Sequence, residues 1–171
     1  MQLSLWLVGL LYVLHSPAPI SAVPQPKNPS ASPAGWQYQQ TPDPSGGTAY
    51  KATLDAIDLL QLPYPYAGGS TVTLTIRARG GTTNAYLSVS KGLLAPSFQG
   101  GKALIQFDAG KPVTFSLSAA ANGRGNLIFF DDTEQLTRKV RAARKMTVQL
   151  KILGQNLNQV TFNSAGLRWN H

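Results

Sequence analysis

Along this chain, short runs in which every second residue is apolar are separated by clusters of turn-forming residues. Thr71 to Ile76 (TVTLTI) places Val72, Leu74 and Ile76 on one face, with Arg77 and Arg79 at its end. A period of two marks a strand with one buried side, because successive side chains of a pleated backbone point to opposite faces. The same alternation recurs at Trp36 to Gln39, Ala85 to Val89, Ala103 to Phe107, Val113 to Leu117, Met146 to Ile152 and Val160 to Phe162. Asn126 to Phe130 (NLIFF) is a compact apolar run of the kind found in central strands. Asp108 to Pro112 reads as a hairpin loop, and Thr41 to Gly47 and Gly154 to Asn156 as turns.

Two stretches break the strand rhythm. Asp131-Asp132-Thr133-Glu134 offers short acceptors and acidic groups that suit a helix N-terminus, and Leu136, Val140 and Ala143 form an apolar stripe through Gln135 to Lys145. Ala49 to Leu62 fits both periods. Leu54, Ile57 and Leu60 are spaced like a helical face, while Tyr50, Leu54 and Ala56 alternate with Lys51, Thr53 and Asp55 as on a strand. Pro63 to Gly69 ends that element either way. Strands at roughly ten-residue spacing predict a mainly β domain over residues 36–171, an antiparallel β-sandwich or partly closed barrel with one short α-helix.

The first residues belong to a different kind of segment. Leu3 to Leu14 (LSLWLVGLLYVL) is too short to span a bilayer but matches the apolar region of a secretory signal. Pro17, Pro19 and the small residues Ser21 and Ala22 follow, so residues 1–22 read as a signal peptide cut after Ala22. Val23 to Gly35, rich in Pro, Ser and Ala, reads as a tether. Export is the expectation, to a bacterial periplasm or cell envelope, with no transmembrane span in the mature form. The chain has no cysteine, so its stability must come from a hydrophobic core rather than disulfides.

The missing cysteine also narrows the chemistry. Beyond the leader the only histidine is the terminal His171, which leaves no material for Ser-His-Asp triads, Cys-His dyads or His/Cys metal sites. No loop carries calcium-ligand spacing, and no cofactor or metal is expected. Asp108, Asp131 and Asp132 each follow an apolar strand and are the carboxylates available for acid–base work in a cell-wall hydrolase. Their ordinary role is in turns and helix caps.

Net charge is +8, with charged residues only 13% of the chain. The strongest basic feature is Arg138, Lys139, Arg141, Arg144, Lys145 and Lys151, with no acid among the intervening residues. On a helix, Arg138, Arg141 and Lys145 fall on one face, opposite the apolar stripe. Such a face suits an anionic polymer or lipid surface, or else is simply solvated. No aromatic residues interleave to stack bases, so nucleic acid is not expected. Tyr64 and Tyr66, beside Gly68 and Gly69, form a second candidate contact, an aromatic loop. Trp36 and Trp169, on the first and last strands, read as core or edge-sealing residues.

The order of several short motifs resembles a family of small exported bacterial proteins of unknown function. The motifs are Asp43, Pro65-Tyr66-Ala67-Gly68, Leu74-Thr75-Ile76-Arg77, Lys91-Gly92, Phe107-Asp108, the basic helix and Gly166-Leu167-Arg168-Trp169. A more distant likeness is to the periplasmic type VI secretion accessory proteins VasI/TagO. The family often carries a cysteine pair after Lys-Gly, where this chain has Leu93 to Gly101 and no cysteine. The resemblance favours a strand over Ala49 to Leu62 and supplies no catalytic residues. Together these readings predict a noncatalytic envelope or periplasmic interaction module that contacts an anionic or protein partner through the basic helix. The alternatives are an accessory subunit of a secretion machine and a hydrolase built on an Asp pair.

Overall fold

The computed structural model describes residues 35–99 and 101–171. The leader, the cut after Ala22 and all of the tether except Gly35 lie outside the described residues. From Trp36 onwards the alternating runs become strands β1 (Gln37–Pro42), β2 (Thr48–Asp55), β3 (Val72–Arg79), β4 (Thr82–Val89), β5 (Lys102–Phe107), β6 (Val113–Ala119) and β7 (Leu127–Phe130). Helix α1 (Thr133–Ala142), β8 (Lys145–Lys151) and β9 (Leu157–Asn163) follow. All pairings are antiparallel, in the order β1-β2-β3-β4-β7-β6-β5-β8-β9. The mainly β, antiparallel fold with one short helix among the described residues is the one the alternation predicts.

The sheet curls because β6 serves two neighbours in succession. Val113 to Ser116 pair with β5, while Leu117 to Ala119 pair with β7. The far edges then approach without forming a ladder. The Ile57 amide donates to the Thr161 carbonyl at 2.8 Å, the Trp36 indole to the Ser164 carbonyl at 3.0 Å, and the Arg168 amide to the Tyr38 hydroxyl at 2.7 Å. The result is a curled, unclosed antiparallel sheet of the kind seen in a sandwich or a partly closed barrel. Trp36 precedes β1 and Trp169 follows β9, so neither tryptophan lies on a strand as the sequence suggested; Trp169 is buried and Trp36 half-buried, packed on the core.

One apolar core fills the interior. Leu54, Leu74, Ile76, Leu87 and Ile128 enter from one half of the sheet, and Ile105, Met146, Val148, Leu150 and Phe162 from the other, all essentially without exposure. Each such side chain contributes roughly 1.5–3 kcal/mol of transfer free energy. Leu136 and Val140 of α1, with Leu167 and Trp169, pack against the core at one end, where the Ala85 amide donates to the Thr133 hydroxyl at 3.1 Å. Leu60, Leu62, Leu94 and Phe98 close the other end, where Leu94 bridges to Ile152.

Several boundaries differ from the sequence reading: β1 runs on through Thr41 and Pro42, read as part of a turn, and β4 and β9 begin three residues earlier, at Thr82 and Leu157. The ambiguous segment is a strand only as far as Asp55; Ala56 to Leu62 leaves the ladder, held by the Ala56 amide on Val72 O and by reciprocal bonds between Leu60 and Ser70. Ile57, placed on the apolar face by helical spacing, is exposed. The helix stops at Ala142 rather than Lys145. Ala143 is already extended (φ −100°, ψ 149°), its carbonyl accepts the Ser164 hydroxyl, and the Asp108 carboxylate accepts the amides of Arg144 and Lys145. Those bonds draw the chain into β8 one turn earlier than the apolar stripe implies.

Asp43 is the buried acid of the domain. Its carboxylate accepts from Arg79 Nε at 2.8 Å and from the Ser45 amide at 2.9 Å, tying the β1–β2 turn to the end of β3. The Arg79 bond, then the Ser45 amide, hold the Asp43 carboxyl below its ordinary range. A carboxyl with a depressed folded value stabilises above its unfolded pKa and loses that contribution as pH falls through the folded one. Asp43→Asn is therefore expected to melt lower than wild type near about pH 7, with the gap narrowing as pH falls below the ordinary carboxylate range; thermal unfolding followed from neutral to acid pH checks it.

Candidate functional site

The basic cluster read from the sequence does not form one surface. Arg138, Lys139 and Arg141 lie on α1, Arg144 and Lys145 beyond its C-cap, and Lys151 at the opposite end of β8. At about 3.3 Å per residue, the length of that strand separates Lys145 from Lys151 by about 20 Å. Several of these cations already have internal tasks. Arg141 donates to the Trp169 carbonyl, Lys139 Nζ sits 5.8 Å above the Phe107 ring, and Arg138 faces Glu134 at 3.6 Å on the exposed surface. Arg138 and Arg141 line a cavity of about 400 Å³ with Glu134, Thr137, Trp169 and His171. The His171 ring stacks on Tyr50 at 3.7 Å and meets Trp169 edge-on at 5.2 Å.

Tyr64 and Tyr66 sit at the other end of the domain. Tyr64 is 91% exposed and Tyr66 39%, and both line a shallow hollow with Leu62, Ile152 and Leu153. The three aspartates have separate structural roles. Asp108 (φ +49°) holds the two amides at the start of β8, Asp131 accepts the Ser118 hydroxyl at 2.6 Å, and Asp132 caps α1 by accepting the Gln135 amide at 2.9 Å. Asp131 and Asp132 line one hollow; Asp108 does not share it.

A different constellation stands on the outer face of the sheet. The register aligns Thr53, Thr75, Tyr86 and Phe129 in one row across β2, β3, β4 and β7. The row two residues along on one side is Asp55, Thr73, Ser88 and Leu127; on the other it holds Lys51, Arg77 and Asn84. The β6–β7 loop, Ala120 to Arg124, borders this face, enclosing a cleft of about 550 Å³. Its lining includes Lys51, Arg77 and Arg124 and no carboxylate. Tyr86 and Phe129 lie half-buried in it, ring centroids 5.3 Å apart and inclined by 58°. Asp55 is adjacent, with its carboxylate accepting the Thr73 hydroxyl at 2.6 Å.

Arg77 is the notable member of the cleft. Its Nε is buried and has no hydrogen-bond partner among the described residues. A buried donor without an acceptor costs about 1–3 kcal/mol. The alternation along β3 already turned Arg77 away from the core, but nothing in the sequence placed β7 beside β4 or brought Arg124 over the same face.

Asp108→Ala is expected to lower stability by roughly 2–3 kcal/mol, since it removes two hydrogen bonds to a charged acceptor, which are worth more than neutral ones. Asp108→Asn keeps an acceptor and tolerates the left-handed backbone, so it retains most of that stability. Thermal melts of the two variants check the assignment of Asp108 to a structural role.

Comparison with family models, curated proteins and solved structures finds no match to this chain, so its function has to be argued from this geometry.

Proposed function

We propose that this protein is an exported, noncatalytic interaction module of the cell envelope or periplasm that binds an anionic partner. The observation that carries the reading is the outer-face cleft, which Lys51, Arg77 and Arg124 line without a lining carboxylate and where Arg77 Nε lacks an acceptor among the described residues. The wider charge pattern supports it. Apart from Asp58, each of the seven carboxylates is engaged by a neighbour in the fold. Only Arg79 and Arg138 form ion pairs among the described residues. The remaining cations leave a positive field that raises the local concentration of anionic ligands. The leader-like residues 1–22 and the resemblance to exported proteins support export; among the described residues no helix is long and apolar enough to cross a membrane. The structural bonds held by Asp108, Asp131 and Asp132 support a noncatalytic reading.

The cleft takes over from the α1 face as the contact surface because Lys51, Arg77 and Arg124 have no side-chain partner to displace among the described residues and line one cleft. Arg141 and Lys139 must instead leave the Trp169 carbonyl and the Phe107 ring.

Binding of polygalacturonate, polyglutamate and polyphosphate by the full folded domain tests this reading. The expected result is binding that weakens steeply between about 50 and 500 mM salt, since the contact is partly exposed and screened. A Lys51→Gln/Arg77→Gln variant should lose about tenfold or more, the worth of one or two charge-assisted hydrogen bonds. Arg138→Gln/Lys139→Gln should stay within about twofold of wild type, as exposed charges at a distance are largely screened. Equal losses in both variants, or no polyanion binding at low salt, contradict the proposal.

A further inference from the structure

We propose that the outer-face cleft is a subsite for a short acidic oligosaccharide, a chain of hexuronate-type sugars; this rests on the anion-binding reading above and names the ligand class. Three features of the cleft point to a sugar rather than a bare anion. Its centre is not charged but aromatic, with Tyr86 and Phe129 adjacent in the register and both half-exposed. The electron-rich faces of such rings attract the polarised C–H groups on the flat side of a pyranose. Around the rings stand the hydroxyls of Thr53, Thr73, Thr75 and Ser88 and the amide of Asn122, a set that both donates and accepts hydrogen bonds. A sulfate ion only accepts, whereas sugar hydroxyls do both.

The cations complete the match by their placement. Lys51 and Arg77 lie in the row on one side of the aromatic pair, and Arg124 lies beyond Leu127 on the other. Four residues of strand separate the Lys51/Arg77 row from the Asp55/Leu127 row, about 13 Å. A ligand crossing the cleft therefore meets Lys51 and Arg77 at one end and Arg124 at the other, where Asp55 stands outside the lining with its carboxylate engaged by Thr73, and a ring surface between them. An oligosaccharide with a carboxylate on successive rings has that order of groups. The volume, about 550 Å³, lies within the usual range for small-ligand pockets and suits two or three sugar rings in an open cleft.

Single-stranded nucleic acid also combines stacking with charge, but it calls for a cationic groove that tracks the backbone. Here the charges are confined to the two ends, and the intervening surface is hydroxyl-lined.

The test is calorimetric titration of the full domain with trigalacturonate and trimannuronate, with triglutamate as a charge-matched peptide and a short oligothymidylate as the nucleic-acid control. Tyr86→Leu removes the ring and keeps apolar bulk in a half-buried strand position; Phe129→Leu is the companion should the first variant misfold. At least one hexuronate trimer is expected to bind about tenfold or more tightly than triglutamate, a gap of about 1.4 kcal/mol. The ring variant should lose about tenfold for the sugar while leaving triglutamate within about twofold, because stacking contributes only to the sugar. Equal affinity for the sugar trimers and triglutamate, unaffected by Tyr86→Leu, overturns the sugar assignment and leaves a plain anion site, so the proposed function survives. Tighter, ring-dependent binding of oligothymidylate overturns it in favour of nucleic acid. Absence of binding by any of the four ligands removes both the sugar assignment and the anion-binding reading.

Discussion

One antiparallel sheet has to bury its own apolar face without a disulfide, and the bend at β6 is what allows it to do so. Val113 to Ser116 belong to one half of the sheet and Leu117 to Ala119 to the other, so the hydrogen-bond ladder itself turns the corner. Without that switch, the inward residues of β2, β3 and β4 face water instead of those of β8 and β9. Every later feature follows from the curl: the single core, the meeting of Trp36 and Tyr38 with the chain after β9, and the two ends closed by α1 and by the Leu60 to Phe98 region. The chain after β9 is fastened at both sides, to β1 through Tyr38 and to α1 through Arg141.

The curl also divides the side chains into two populations. Inward positions are apolar almost without exception and serve packing. Outward positions on β2, β3 and β4 are free of that duty, and there the chain carries hydroxyls, Lys51, Arg77 and Arg79, the Asp55 carboxylate and a tyrosine rather than a uniform solvated surface. Most of the few carboxylates fasten turns and caps; Asp55 alone stands beside the cleft on the outer face, where it accepts the Thr73 hydroxyl. Cations near the core or the chain terminus, such as Arg141, act as hydrogen-bond donors to backbone; those of the cleft have no such partner. The difference between the two sets lies in local geometry and not in the density of basic residues along the sequence.

Much of the fold was legible in the alternation. Most strands fall on runs that alternate or are wholly apolar, because a period of two survives whatever the neighbours are; β1, exposed along its length and running on into Thr41-Pro42, and β2, whose run also fits a helix, are less plain. The capped start of α1 was legible too, since Asp132 acts locally. Its end was not, because Asp108 and Ser164, distant in sequence, decide where the helix yields to β8. The cleft was the least legible part. Lys51, Arg77, Tyr86, Arg124 and Phe129 look unrelated along the chain and meet only because β4 pairs with β7 across a long connection. The conspicuous cluster from Arg138 to Lys151 suffered the opposite fate: contiguous in sequence, it is dispersed over a helix, a junction and the far end of a strand.

Backbone amide chemical-shift mapping during titration with a hexuronate trimer tests most directly whether function resides on the outer face. The geometry predicts shifts concentrated in β2 around Lys51 and Thr53, β3 around Thr75 and Arg77, β4 around Tyr86, and the Ala120 to Arg124 loop, with α1 silent. Shifts centred on α1 and the Arg144–Lys145 junction, with those strands unmoved, contradict it and return the contact to the basic helix.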